Sequence, residues 1–389
     1  IMCLAYMPGS YAQYQLSVYA SELIQSFGLT TSQFSSLFTA PMIVAIFLSF
    51  VGGMISDKVG SKKVINISFV IAGIGMIGRV FANSYMPFFL CMALTGFSNM
   101  FVNINASKIT ASWFEQEKLG ILMGIFAFCG QLPGAFATAT TAVLFDSRTS
   151  AFIVSAIFCI SVFVLWLLFV KDRPEDTMEE REKIDQENQP SIGDSLKVVL
   201  SNKGIWLVSI CIMMALGSTV TLSTFMPMAL QTMYGIDLKV CGTIASMLTL
   251  GNCIGSITGP IVFSKIKNVK VFVSGAAVLS FAGIIMCWRF PSIFVLHILV
   301  LYTGIMLGAS MPIFLSAPVL LEGLGTKYAG SAAGVISTLQ LLGAVLIPTY
   351  ILTPIAGENY SLLFMLASIC MVIMFLCGLL LPQFGNNQK

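Results

Sequence analysis

Apolar runs long enough to cross a bilayer recur from one end of this chain to the other, and that feature removes most folds from consideration. A spanning helix needs roughly 20 predominantly apolar residues. Twelve stretches qualify: about 1–26, 31–56, 63–82, 85–112, 118–145, 149–170, 203–233, 238–264, 269–289, 291–320, 328–354 and 359–382. Soluble domains run at about 45–50% apolar and about 25% charged residues. This chain is 57% hydrophobic and 10% charged, with a mean hydropathy of +0.91. Lipid offers no partner for a free N–H or C=O, so each run must close its hydrogen bonds internally. The expected fold is therefore an all-α membrane protein of twelve transmembrane helices. The glycines and prolines inside the runs are tolerated in that setting.

Charge placement sets the expected orientation. If "SDKVGSKK" faces the cytoplasm, so do the alternate loops 113–118, 171–203, 264–270 and 321–327, and the C-terminus. Those segments hold 15 of the 20 Lys and Arg residues. The opposite side holds Arg79, Arg148, Lys239 and Arg289, and Lys108 falls inside span four. That is the positive-inside asymmetry. It predicts a multi-pass protein of the plasma (inner) membrane with both termini cytoplasmic. The opening "IMCLAYMPGSYAQY" lies inside an apolar run and lacks the basic start and small-residue cleavage site of a signal peptide. A few polar residues are expected to precede it.

One segment breaks the pattern. Residues 171–203 carry nine acidic and six basic residues and read as a linker, with a short amphipathic helix at 191–200 on the membrane surface. The predicted organisation is an N-terminal six-helix bundle at 1–170, a cytoplasmic linker at 171–202 and a C-terminal six-helix bundle at 203–389. The halves repeat. Arg79 matches Arg289 at an offset of 210, within "AGIGMIGRVF" and "AGIIMCWRFP". Gly120 and Gly124 match Gly330 and Gly334 at the same offset; Gln131 matches Gln340 at 209 and Gly28 matches Gly235 at 207. Two six-span halves in the same orientation imply a pseudo-twofold axis along the membrane normal, an arrangement found in secondary transporters.

Several function classes drop out. The net charge of +3 gives no footprint for nucleic acid. The ten cysteines form no C-x-x-C pair and sit mostly in apolar runs, where they read as small buried residues. No Cys/His cluster suggests a metal, and no Gly-x-x-x-x-Gly-Lys loop suggests ATP-driven pumping. The single histidine, His297, has no acid near it in sequence. The chain is expected to be neither an enzyme nor the holder of a cofactor. Its expected partners are a small-molecule substrate and the lipid bilayer, and it is expected to act as a monomer.

"GMISDKVGSKK" at 53–63 places Gly53, Asp57, Lys58, Gly60, Lys62 and Lys63 between spans two and three. It resembles the loop 2–3 signature of the major facilitator superfamily. "SWFEQEKLGILMG" at 112–124 and "GQLPGA" at 130–135 are similar to that family's span 4–5 loop and span five. The resemblance covers the chain and implies two six-helix bundles working by alternating access. It implies a gating role for the signature residues, with Asp57 as a latch near the start of span eleven. Lys108, one turn inside the cytoplasmic end of span four, either snorkels or pairs at that gate. The second-half copy, "GPIVFSKIKNVK", has Phe263 in place of the Asp, so the latch is one-sided. Met92 stands where the family often has an arginine used in proton coupling, which disfavours a proton-driven mechanism. A narrower resemblance links "YAQYQLSVYA", "SKITASWF", "GQLPG" and "STLQLLG" to the haem- and choline-carrier (feline leukaemia virus receptor-related) group.

Ionisable groups inside a bilayer are expensive and default to functional hypotheses. The candidates here are few: Glu22 near the outer end of span one, Lys108 and His297, with Arg79 and Arg289 at outer ends, free to snorkel. The expected substrate wall is therefore uncharged: Tyr11, Tyr14 and Gln15 of span one, Asn99 and Asn103 of span four, Gln131 of span five, Thr221 of span seven, Tyr302 of span ten and Gln340 of span eleven. Some of these must instead bond neighbouring helices. An interior without a fixed cation suits a neutral, zwitterionic or quaternary-ammonium solute such as choline, held over tyrosine faces. The alternatives are an organic-anion or carboxylate carrier or exchanger, and a non-transporting sensor of the same fold.

Overall fold

The computed structural model describes residues 1–113, 116–170, 192–321 and 324–383. Every regular element among them is helical. The first half holds α1 (Met2–Val18), α2 (Ala20–Phe27), α3 (Thr31–Val59), α4 (Ser61–Phe81), α5 (Tyr85–Trp113), α6 (Gln116–Leu144) and α7 (Arg148–Phe169). The second holds α8 (Ile192–Ser201), α9 (Lys203–Tyr234), α10 (Leu238–Ile266), α11 (Val269–Met286), α12 (Ile293–Ala309), α13 (Met311–Leu320), α14 (Gly325–Leu346), a π-helical turn (Ile347–Leu352), α15 (Thr353–Ala356) and α16 (Tyr360–Leu380). Among the described residues ten stretches are long and apolar enough to cross a membrane. The 17-residue α1 and the 29-residue α6 take the places of the first and fifth expected spans.

Two expected spans are interrupted. The first bends at Tyr19, between α1 and α2. The tenth divides at Ser310, where Pro312 has no N–H to extend α12 and instead opens the first turn of α13.

The chain forms two compact units: Ile1–Arg173 with Ser223–Thr249, and Pro174–Leu222 with Leu250–Lys389. Of the three boundaries, one lies between Arg173 and Pro174 in the linker and the other two fall within α9 and α10. Lipid tails are as apolar as leucine, so helices in a membrane associate through close packing of small residues. In the first unit Gly96 of α5 lies against the backbone of Pro41 in α3, too close for any Cβ. Gly75 and Gly78 likewise admit Cys91 and Leu94 of α5. Gly130 and Gly134 of α6 receive the rings of Tyr6 and Tyr14 from α1, where a Cβ would meet ring carbons at 3.0 Å in each case. Phe69 stacks on Phe163 with centroids 5.4 Å apart, beside the buried Trp166. The 223–249 segment joins this unit through Phe225 against Phe34 (5.9 Å), Ser21 Oγ donating to Gln231 Oε1 (3.2 Å), and Gly242 on the Thr138 carbonyl.

The second unit is knit by a glycine ladder. Gly251, Gly255 and Gly259 of α10 lie on the carbonyls of Leu301, Ile305 and Ala309 of the α12 segment, both sets spaced by four. Gly308 answers from the other side against Asn252. The short α8 lies along α14 and buries Ser195 and Val199. Trp206 Nε1 ties its end by donating to the Leu200 carbonyl at 2.8 Å.

Two turns explain glycines singled out in the sequence. A single residue, Gly60, joins α3 to α4 with φ +94°, a conformation disfavoured for residues with a Cβ. Gly28 and Gly235, the pair at offset 207, both adopt left-handed geometry, φ 61° and 64°. The internal repeat therefore extends to backbone conformation at these two helix ends.

Candidate substrate-facing residues

The expected wall residues separate into those already bonded within the protein and those with an open amide. Asn99 belongs to the first group. With its amide turned so that Nδ2 donates to the Tyr6 carbonyl (2.9 Å), its Oδ1 accepts from the Ser10 N–H and hydroxyl (3.1 Å each). It thereby serves two α1 backbone groups one helical turn apart, and Gly9 leaves the space for it. Gln15 is fully buried; its Nε2 donates to the Ala151 carbonyl (3.1 Å) and its Oε1 accepts from Arg79 (3.0 Å). Thr221, also fully buried, turns its hydroxyl back onto the Gly217 carbonyl (2.8 Å). Tyr302 faces α11, with its hydroxyl 3.4 Å from the Leu279 carbonyl and its ring against Gly283. Tyr11 packs edge-on against Phe158 of α7 (6.2 Å), and Tyr14 against Phe38 of α3 (5.5 Å).

Asn103, Gln131 and Gln340 form the second group. No described residue accepts from or donates to their amides. Asn103 is exposed near the middle of α5, and Gln131 and Gln340 are half-buried. An unpaired amide facing hydrocarbon costs roughly 2–7 kcal/mol. On α14 they are joined by exposed Ser337 and Thr338.

Arg79 corrects the expectation from sequence. It does not snorkel, and the interior does contain a fixed cation. Its side chain is 1% exposed. Nη1 donates to the Ala12 carbonyl at 2.9 Å and lies 3.8 Å from Met92 Sδ. Nη2 donates to Gln15 Oε1 and to the Ser155 hydroxyl. The guanidinium carbon sits 4.4 Å over the Phe152 ring, and Nε is buried without a partner. Every partner is neutral; no carboxylate reaches Arg79 among the described residues. The cause is the helix face. Ile65, Ser68, Ala72 and Gly75 form the buried stripe of α4, and Arg79 continues it at the same spacing. That stripe was available in the sequence as a signal. Its repeat partner Arg289 is exposed, 5.4 Å over the Trp288 ring.

The rim and gate candidates fall as follows. Glu22 pairs with Arg148 at 3.6 Å, and Arg148 also donates to Ser26 Oγ. His297 bonds through Nδ1 to the Ile293 carbonyl one turn back (2.8 Å). Lys62 and Lys63 occupy the first turn of α4, half-buried and exposed respectively. The side-chain positions of Gly53, Asp57, Lys58 and Lys108 lie outside the described residues.

Comparison with known proteins agrees with this architecture. A probable sulfoacetate transporter of Cupriavidus necator is 24% identical over 360 residues, covering 87% of this chain and 82% of that protein. A galacturonate transporter of Dickeya chrysanthemi is 23% identical over 69% of this chain and 81% of its own. A membrane sensor protein of Salmonella typhimurium is 24% identical over 84% of this chain and 78% of its own. The crystal structure of a nucleoside transporter, solved as a point mutant, shares the fold with a TM-score of 0.78 at 16% identity, covering 98% of both chains. These are similar to the present chain as membrane proteins that move or sense solutes, and the chain is a transporter rather than an enzyme. The family model of the Major Facilitator Superfamily matches residues 2–348, and the chain belongs to that superfamily.

Proposed function

We propose that this transporter carries a small organic anion, a carboxylate or sulfonate bearing hydrogen-bonding groups. The observation that carries the reading is Arg79, a buried cation whose described partners are all neutral. Met92, in contact with it, precedes the open Asn103 by eleven residues on α5, about 16 Å of helix rise. At an effective dielectric constant near 20 a unit charge at that distance favours an anion by roughly 1 kcal/mol, about fivefold in affinity. The open amides of Asn103 and Gln131, in the same unit as Arg79, supply neutral contacts for hydroxyls. The printed substrates of two relatives, sulfoacetate and galacturonate, are anionic. A neutral or quaternary-ammonium solute is the weaker reading, because it rested on an interior with no fixed cation.

The test is uptake into proteoliposomes. Labelled galacturonate or sulfoacetate should accumulate and be displaced by unlabelled carboxylates, while choline and a nucleoside leave uptake unchanged. Competition by choline or the nucleoside alone would overturn the proposal, and binding without flux would mark a sensor.

We take the linker and both termini as cytoplasmic in the plasma (inner) membrane, on the charge asymmetry. The bundles 1–170 and 203–389 are the moving parts of an alternating-access monomer. Asp57 falls in the last turn of α3, and Lys62 and Lys63 in the first turn of α4. Both placements oppose the helix dipoles, which favour cations at C-termini and anions at N-termini. These charges therefore gain nothing from their own helices, which supports the latch. Asp57→Asn should slow initial uptake on the order of tenfold while equilibrium binding stays near wild type. Lost binding with preserved turnover would exclude the latch.

A further inference from the structure

The second unit contains a cleft of about 580 Å³ that the transport reading does not use. Four helix ends meet there. Lys203 opens α9, Lys270 lies in the first turn of α11, Leu321 follows α13, and Leu380 ends α16 with Pro382 beyond it. The walls are apolar, from Leu207, Leu321, Leu380 and Pro382. Leu380 is 69% exposed at the end of a membrane span. Among the described residues the only charges lining the cleft are the ammoniums of Lys203 and Lys270. Both are exposed, and neither pairs with a carboxylate among the described residues. Two helix N-termini point the same way, and an N-terminus favours negative charge. Some of their first N–H groups are satisfied internally: Asn202 Oδ1 accepts from Gly204 N (2.9 Å) and Gln383 Oε1 from Val269 N (3.2 Å). The lysines therefore supply most of the attraction.

The geometry points to a binding site for an anionic phospholipid of the leaflet on this charge-rich side. The phosphate sits between Lys203 and Lys270, and an acyl chain lies along Leu380 and Leu207. Basic pockets between transmembrane helices hold anionic headgroups on the same electrostatic grounds. A soluble anion would match the lysines but leave the apolar wall uncovered. A neutral lipid would cover the wall but leave the lysines unmatched. None of the residues lining the cleft takes part in the substrate proposal, so the site stands or falls independently of it.

The experiment uses the full chain in detergent, titrated with phosphatidylglycerol, with phosphatidylcholine and with inorganic phosphate, and followed by thermal melting and native mass spectrometry. Phosphatidylglycerol should raise the melting temperature by roughly 3 °C more than phosphatidylcholine and persist as a bound adduct. The double variant Lys203→Ser, Lys270→Ser should lose both effects while melting like wild type in phosphatidylcholine. The charge-preserving pair Lys203→Arg, Lys270→Arg should keep them. Equal stabilisation by phosphatidylcholine, an equal shift from inorganic phosphate, or undiminished adducts on the serine variant would each overturn the site.

Discussion

Replacing Gly255 by leucine is expected to abolish the folded protein. A Cβ at this position would overlap the carbonyl of Ile305, and Gly251 and Gly259 are similarly placed on Leu301 and Ala309. The obstacle is backbone, which cannot rotate aside as a side chain can. Overpacking a well-packed interior typically costs about 1–3 kcal/mol and occasionally more. Leucine here must part α10 from α12 along the whole ladder and also undo the Gly308 contact with Asn252, so the cost lies beyond that usual range. Stability is typically only about 5–15 kcal/mol in all. Size-exclusion chromatography should show aggregate in place of a monodisperse peak, with Gly255→Ala intermediate. A leucine variant melting at the wild-type temperature would remove the ladder's importance.

Arg79→Gln should separate fold from selectivity. A buried ion without a counter-ion carries a desolvation penalty of several kcal/mol, and removing it relieves that penalty. The glutamine amide keeps a donor for the Gln15 Oε1 and Ser155 acceptors, limiting the loss from unsatisfied groups to about 1–3 kcal/mol. The two terms nearly offset, so the melting temperature should change little. Affinity for a carboxylate or sulfonate should fall about fivefold with the lost charge, and Arg79→Lys should recover part of it. Titration calorimetry against galacturonate would read this directly. A large drop in melting temperature with unchanged anion affinity would make Arg79 a purely structural residue.

The architecture was legible because its signals are local. Twenty-residue apolar runs can satisfy their backbones in lipid in very few ways. The repeat was also legible at Gly28 and Gly235, because a left-handed helix end asks for glycine wherever it occurs. The division of labour among polar residues was not. Asn99 and Asn103 lie one turn apart on α5, yet one bonds α1 and the other is open; the outcome depends on Gly9, which admits Asn99. Arg79 and Arg289 are equivalent in the repeat, and one is enclosed while the other is exposed. The deciding factor is the stripe of small and buried residues leading to Arg79 on α4, a face-level pattern that an offset between single residues does not capture.

The π-helical turn at Ile347–Leu352 has a consequence for how this chain can vary in length. Losing one residue from an α-helix rotates everything beyond it by about 100° relative to what came before, which would turn buried faces toward lipid. A π turn holds one residue more than the α-helix around it. Deleting a residue there returns the segment to regular helix and leaves the faces on both sides in place. Within the eleventh span this turn is a site of slack, where a single-residue deletion is absorbed rather than propagated.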